Sequence, residues 1–138
     1  GVPVGAFVAN AKFAKAMEPG DHGSTYGGNP LVTAAVSTVF DILKKDSIVE
    51  NCKEVSEYLL EELDKVVKDY DCVVGHRGLG LMQGIVLNVP AKKYVQALLD
   101  EGVIVVTAGE KVIRLLPPLV ITKGHVDEFI TKLRKVLG

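Results

Sequence analysis

Between Ile48 and Tyr70 the apolar residues Ile48, Cys52, Val55, Leu59, Leu63, Val66 and Tyr70 recur at intervals of three and four. That spacing is the helical one, so the run encodes a long amphipathic helix with a single apolar stripe, of a kind that often links two bodies. Ser47-Ile48-Val49-Glu50 has the form of a capping box at its start. Glu61 with Lys65 and Asp64 with Lys68 supply four-residue pairs on its wet face. A stripe this long has to be buried against another layer, and the residues downstream provide one.

Cys72 to His76 and Leu81 to Val89 read as strands flanking the turn Arg77-Gly78-Leu79-Gly80. Ala91 to Glu101 reads as a helix stopped by Gly102. Val103 to Thr107 and Val112 to Leu116 read as strands around Ala108-Gly109-Glu110-Lys111. After the break at Pro117-Pro118, Lys123 to Leu137 reads as a closing helix with Val126, Phe129, Ile130 and Leu133 inward. The order β-β-α-β-β-α with short turns predicts a small, largely antiparallel sheet covered by helices, a self-contained α+β domain over residues 47–138.

Residues 1–46 read differently. Val2 to Ala9 alternates small and β-branched residues as a buried strand would. Ala11 to Met17 is a short helical turn ended by Glu18-Pro19-Gly20. Asn29 is placed to cap a helix over Pro30 to Lys44, with Pro30 at the first position, where a missing N–H costs nothing. That helix is so apolar that it calls for cover on more than one side, so residues 1–46 predict a strand–helix stub of something larger.

With 48% apolar residues, 24% charged residues and a net charge of −1 in 138 residues, the chain is composed like an ordinary soluble protein. Near-neutral charge with scattered lysines speaks against a nucleic-acid surface. No apolar run approaches the roughly 20 residues that cross a bilayer. The start has no initiator Met, no basic leader and opens inside an apolar element, which leads us to expect a fragment or a processed chain. Cys52 and Cys72 lie on apolar faces; a disulfide or redox pair is one reading, two reduced core thiols of a cytosolic protein the other, and the second is favoured. His22, His76 and His125 have no metal-ligand spacing among themselves or with the cysteines.

Two places carry candidate chemistry. The stretch Asp21-His22-Gly23-Ser24-Thr25-Tyr26-Gly27-Gly28-Asn29-Pro30 sets two hydroxyl residues among glycines, just before a helix start. Small residues let the backbone approach an oxyanion such as phosphate, and N–H and O–H groups supply the donors. Its alternative is a hydroxyl-closed turn that binds nothing. Arg114, between Val112-Ile113 and Leu115-Leu116-Pro117-Pro118, is expected at a strand end in apolar surroundings, where a cation needs an anionic partner. That partner is either a ligand carboxylate or an Asp or Glu of the protein.

Three segments then stand together: Gly1-Val2-Pro3-Val4-Gly5-Ala6, Gly20 through Leu31, and Val112 through Leu119. In order and spacing they resemble the class III pyridoxal-phosphate-dependent aminotransferases, and the resemblance runs the length of the chain. It implies a fold-type I enzyme, with residues 1–46 as the C-terminal stub of its large cofactor domain and residues 47–138 as its small domain. It implies pyridoxal 5'-phosphate as cofactor, a homodimer, and amino-acid and 2-oxo-acid substrates. No nucleic acid and no membrane are implied, and the location is cytoplasmic.

By the same resemblance Thr25, with Ser24 beside it, binds the cofactor's phosphate in the neighbouring subunit's site. Arg114 binds a substrate carboxylate, and in some relatives pairs with a glutamate of the large domain. Thr107-Ala108-Gly109-Glu110 narrows the likeness to the branch acting on N2-acetylornithine in arginine biosynthesis, with ornithine and 4-aminobutyrate as alternatives. His22 shapes the loop, Tyr26 packs beside it, and Arg77 has a structural role in a turn.

The family's catalytic lysine, which forms the Schiff base with the cofactor, lies upstream of the position of Gly1 in a Lys-x-x-Gly-Gly-Gly run. Lys12 and Lys15 do not match it, and the aspartate that pairs with the pyridine nitrogen is also upstream. The chain therefore offers no catalytic residue of its own and is expected to be inactive alone. Its stub is expected to expose apolar surface and to drive self-association. A stand-alone binding or interaction module derived from the small domain is the alternative from another class.

Overall fold

The computed structural model describes residues 2–138; Gly1, the first residue of the first motif, lies outside the described residues. The chain divides after Asp46 into two compact units.

In the first unit, Val2 to Asn10 forms neither helix nor paired strand, and its residues are exposed. The expected strand is therefore absent. Apolar alternation prepares a segment for a sheet, but a strand exists only where a neighbouring backbone takes up its N–H and C=O groups. A single helical turn α1 (Ala11–Ala14) follows, its first N–H groups capped by the Asn10 side chain. The helix α2 (Pro30–Lys45) begins as expected: the Asn29 carboxamide accepts from the Val32 N–H at 3.0 Å, and Pro30 opens the first turn. Only Val32 of this apolar helix is buried.

The second unit contains α3 (Ile48–Asp69), β1 (Val73–Leu79), β2 (Met82–Leu87), α4 (Lys92–Asp100), β3 (Val106–Thr107), β4 (Val112–Leu115) and α5 (Lys123–Leu137). The predicted order holds, and the four-stranded sheet, ordered β1-β2-β4-β3, is antiparallel throughout. The α3 stripe packs as its spacing requires: Val55, Leu59, Leu63 and Val66 join the core, with Cys52 and Tyr70 half-buried against it. They meet Ile85, Leu87, Ile113 and Leu115 from one face of the sheet, Tyr94 and Leu98 from α4, and Val126, Ile130 and Leu133 from α5. Cys52 and Cys72 are free, half-buried thiols.

Several local expectations are corrected. Ser47 does not cap α3; it sits at φ +50° and its side chain makes no capping bond, because that left-handed backbone turns the hydroxyl away from the first free N–H groups. Lys65 pairs with Glu62 rather than Glu61, and Asp64 reaches His76 Nε2 at 2.9 Å rather than Lys68. Arg77-Gly78-Leu79 belongs to β1, and the hairpin closes through Gly80-Leu81 alone, with Leu79 paired to Met82. Gly80 takes φ +56°, the left-handed first position that a two-residue hairpin assigns to glycine, and Leu81 tucks into the core. The strand expected over Val103 to Thr107 shrinks to Val106–Thr107, since only that part pairs with β4.

Candidate functional site

The Gly-rich loop belongs to the first unit. Within it the Ser24 Oγ accepts from the Gly27 N–H at 3.1 Å, and the Asn29 side chain donates to the Tyr26 carbonyl at 2.8 Å before capping α2. Ser24 thus closes the turn, while its own hydroxyl proton remains available to donate. Thr25 is exposed, and its hydroxyl enters none of these loop bonds. Gly28 follows at φ +67°, which lets the chain reverse into Asn29 and the helix start. The His22 ring meets Phe7 edge-on at 5.3 Å, in line with a shaping role, and Tyr26 is exposed. The loop therefore leaves the Thr25 hydroxyl open a few residues ahead of a 16-residue helix with no acidic residue in its first turn.

Arg114 lies in the second unit. It is the third residue of β4, and its neighbours Ile113 and Leu115 point into the core while it faces outward. The expectation of a strand end in apolar surroundings is corrected: Arg114 is exposed, because alternation along β4 assigns it to the face that the core does not cover. Among the described residues no Asp or Glu pairs with it.

The register shows a relation that the sequence concealed. Arg77 of β1 pairs with Gly84 of β2, and Gly84 in turn pairs with Arg114 of β4. Directly opposed residues share a sheet face, so Arg77 and Arg114 emerge on the same side with a glycine between them. A Cβ on Gly84 would lie 2.9 Å from Val112 Cγ1 and 4.0 Å from Arg77 Cγ, so the Arg77 stem leans against the space where a side chain would stand. An apolar groove of about 390 Å³ lies elsewhere in this unit, walled by Leu59, Ile104, Pro118 and Phe129, and Arg114 does not line it.

Among the described residues no cluster of His, Cys, Asp and Glu could hold a metal ion, and no helix is long and apolar enough to cross a membrane.

Comparison with known proteins bears on the family and the fold. The family model described as aminotransferase class-III matches residues 1–137. An acetylornithine aminotransferase of Streptococcus mutans is 47% identical over 136 residues, 99% of this chain and 36% of that protein. An ornithine aminotransferase of Staphylococcus carnosus is 37% identical over 137 residues, 99% of this chain and 34% of that protein. Among solved structures, the acetylornithine aminotransferase of Elizabethkingia anophelis superposes with a TM-score of 0.83 at 28% identity, over 94% of this chain and 34% of that one. The ornithine δ-aminotransferase of Plasmodium falciparum gives 0.85 at 32% identity, over 94% and 35%. The chain thus spans about a third of the length of the relatives it matches.

Proposed function

Because the chain belongs to the class III aminotransferases, we propose that it forms the C-terminal third of an enzyme that moves the amino group of N2-acetylornithine to 2-oxoglutarate. The observation that carries this reading is 47% identity to an acetylornithine aminotransferase across 99% of the chain. Residues 1–46 are then the end of the large domain and residues 47–138 the small domain. The working unit is a homodimer in the cytoplasm, and the pathway is arginine biosynthesis.

The cofactor of this reading is pyridoxal phosphate, which when bound supplies an electron sink for bonds broken at the substrate's amino-bearing carbon. The residues present fit its phosphate: the open Thr25 hydroxyl is a short donor a few residues ahead of a positive helix end, and Ser24 keeps a proton to donate. A phosphate dianion gains charge-assisted bonds from such donors, and in the dimer they serve the neighbouring subunit's site. Arg114 offers a planar five-donor fork to a substrate carboxylate, which fixes the substrate's orientation. No lysine of the chain is placed for covalent chemistry. Lys12 lies within α1 and Lys15 closes it, both exposed, and in this reading the 138 residues alone bind and orient but do not transaminate.

Two experiments test this. Adding pyridoxal phosphate to the 138-residue chain should give no lysine-specific absorbance band, and borohydride should trap no single site; one stoichiometrically trapped lysine would refute it. The complete reading frame should contain an upstream Lys-x-x-Gly-Gly-Gly run, and its product should transaminate N2-acetylornithine with 2-oxoglutarate. A start codon near Gly1 would point instead to a binding module. The second reading, ornithine as the amine, is favoured by the 37% identity to an ornithine aminotransferase. Feeding each amine to that product separates the two.

A further inference from the structure

The helix α5 starts on a cap that can titrate. A backbone N–H can only donate, so the His125 Nδ1 that accepts from the Thr122 N–H at 3.1 Å carries a bare lone pair. The Thr122 hydroxyl reaches the same nitrogen at 2.9 Å. The ring is therefore neutral in this arrangement, with its proton on Nε2. The backbone closes the same turn: the His125 and Val126 N–H groups both donate to the Thr122 carbonyl, at 3.1 and 3.3 Å. A capping box ordinarily has Glu or Gln where His125 stands, and either accepts throughout the neutral range. A histidine accepts at Nδ1 only while that nitrogen is unprotonated.

The same ring borders the apolar groove of about 390 Å³, together with Leu59 of α3, Ile104, Pro117 and Phe129. The charged groups near this end of α5 are already engaged. Lys123 pairs with Glu54 of α3 at 2.7 Å, with Glu61 acting on it from further off. Asp127 accepts from Tyr58 of α3 at 2.6 Å. Glu128 is held below the usual carboxylate range first by its bond to Lys132 and last by the His125 ring. Its carboxylate draws a proton toward that ring, but it is exposed to solvent and shared with Lys132, so the pull is weak.

We propose that His125 is a pH-sensitive latch: its neutral ring caps α5 and stands in the groove wall, and a proton on Nδ1 releases the first turn and loosens that wall. The proton comes from solvent, and the ring becomes a cation with two N–H donors and no acceptor. Two effects then oppose the closed turn. The Thr122 N–H loses its partner, and a positive ring faces the positive end of a 15-residue helix. The unfolded chain loses neither on taking up the proton. The cap's contribution is therefore complete where the ring is neutral and is lost as pH falls. The latch is independent of what Thr25 and Arg114 bind.

The test compares the 138-residue chain with His125→Gln, which can accept from Thr122 without titrating, and with His125→Lys, which is charged and cannot accept. Urea unfolding is followed by NMR at the methyl signals of Leu63 and Ile85, so that only the second unit's core is read. From about pH 8 to about pH 5, the folded-to-unfolded ratio of the parent should fall about fivefold relative to His125→Gln, the size of one helix cap. His125→Lys should lie about fivefold below His125→Gln at every pH in that range. The other two histidines, His22 and the Asp64-bonded His76, titrate in parent and variants alike, so the comparison cancels them. In the parent the Thr122 amide proton should shift with the same midpoint as the His125 ring signals, and in His125→Gln it should stay put. Parallel pH responses of parent and His125→Gln would overturn the latch, as would a Thr122 amide that ignores the ring. A parent that gains on His125→Gln in acid would show that the pull of Glu128 outweighs the cap, and the proposal falls.

Discussion

The polar end of a side chain shows its role by what it touches. Arg134, tied to Asp69 and lying over the Tyr70 ring, joins α5 to α3 and is committed to structure. Ser24 is likewise occupied, accepting from Gly27, whereas Thr25 beside it is open. Tyr58 is the clearest case with a pH signature. Its hydroxyl donates to Asp127 Oδ1 at 2.6 Å, joining α3 to α5, and that bond to a carboxylate is the main reason its ionisation is pushed up to about 12. A phenol whose folded-state value lies above the unfolded one, about 10, favours folding while it is protonated. Its contribution is complete below pH ~10 and is lost as pH rises toward 12. Phenolate absorbance should therefore show one tyrosine titrating late, and Tyr58→Phe should remove that step. It should also flatten the fall in stability across this window. A late step that survives the substitution would assign the shift to another tyrosine.

Elements are decided by caps, turns and the space between strands. Three helix starts look alike in sequence, yet Asn29 caps with its side chain and Ser47 does not. At the third, the Nδ1 of His125 accepts from the Thr122 N–H at 3.1 Å and lies 2.9 Å from its hydroxyl. The β1–β2 hairpin depends on Gly78, where a Cβ would stand 2.0 Å from the Met82 carbonyl oxygen and 2.7 Å from Gln83 Oε1. A backbone oxygen cannot yield as a flexible side-chain tip can. Gly78→Ala should therefore cost about 3 kcal/mol or more, read as a lower urea midpoint. Leu79→Ala, next along the strand but 85% exposed, should stay within about 0.5 kcal/mol. Equal effects at the two positions would show that packing against Gly78 does not set the register.

At the scale of the molecule the two units differ in how they use apolar residues. The second buries its stripe, sheet face and closing helix in one core. The first leaves Phe7, Val8, Phe13, Leu31, Val39, Phe40 and Ile42 exposed, with Val32 its one buried hydrophobic residue among those described. Apolar surface of that extent favours association. The 138-residue chain should sediment with a concentration-dependent mass, and removing residues 1–46 should give a monomer that keeps its sheet. A sharp monomer for the whole chain would count against this, as would an aggregating 47–138 piece.

Much of this was legible from local pattern. Helical periodicity determined α3 and α5, Asn29-Pro30 determined the start of α2, and the alternation of strand and helix determined an antiparallel α+β unit. The motifs around Thr25 and Arg114 carried the family. These readings succeed because each depends on residues a few positions apart. The tertiary structure decided what depends on distant partners. Val2 to Ala9 has a strand's composition but no neighbouring backbone to pair with, and the third strand of the sheet is as short as its contact with β4. Arg77 read as a turn residue, and only the register carried it across Gly84 to face Arg114, 37 positions further along the chain. Cross-strand pairing joins residues whose separation in sequence holds no trace of their proximity, so the sequence named Arg114 and the fold decided which residues share its row.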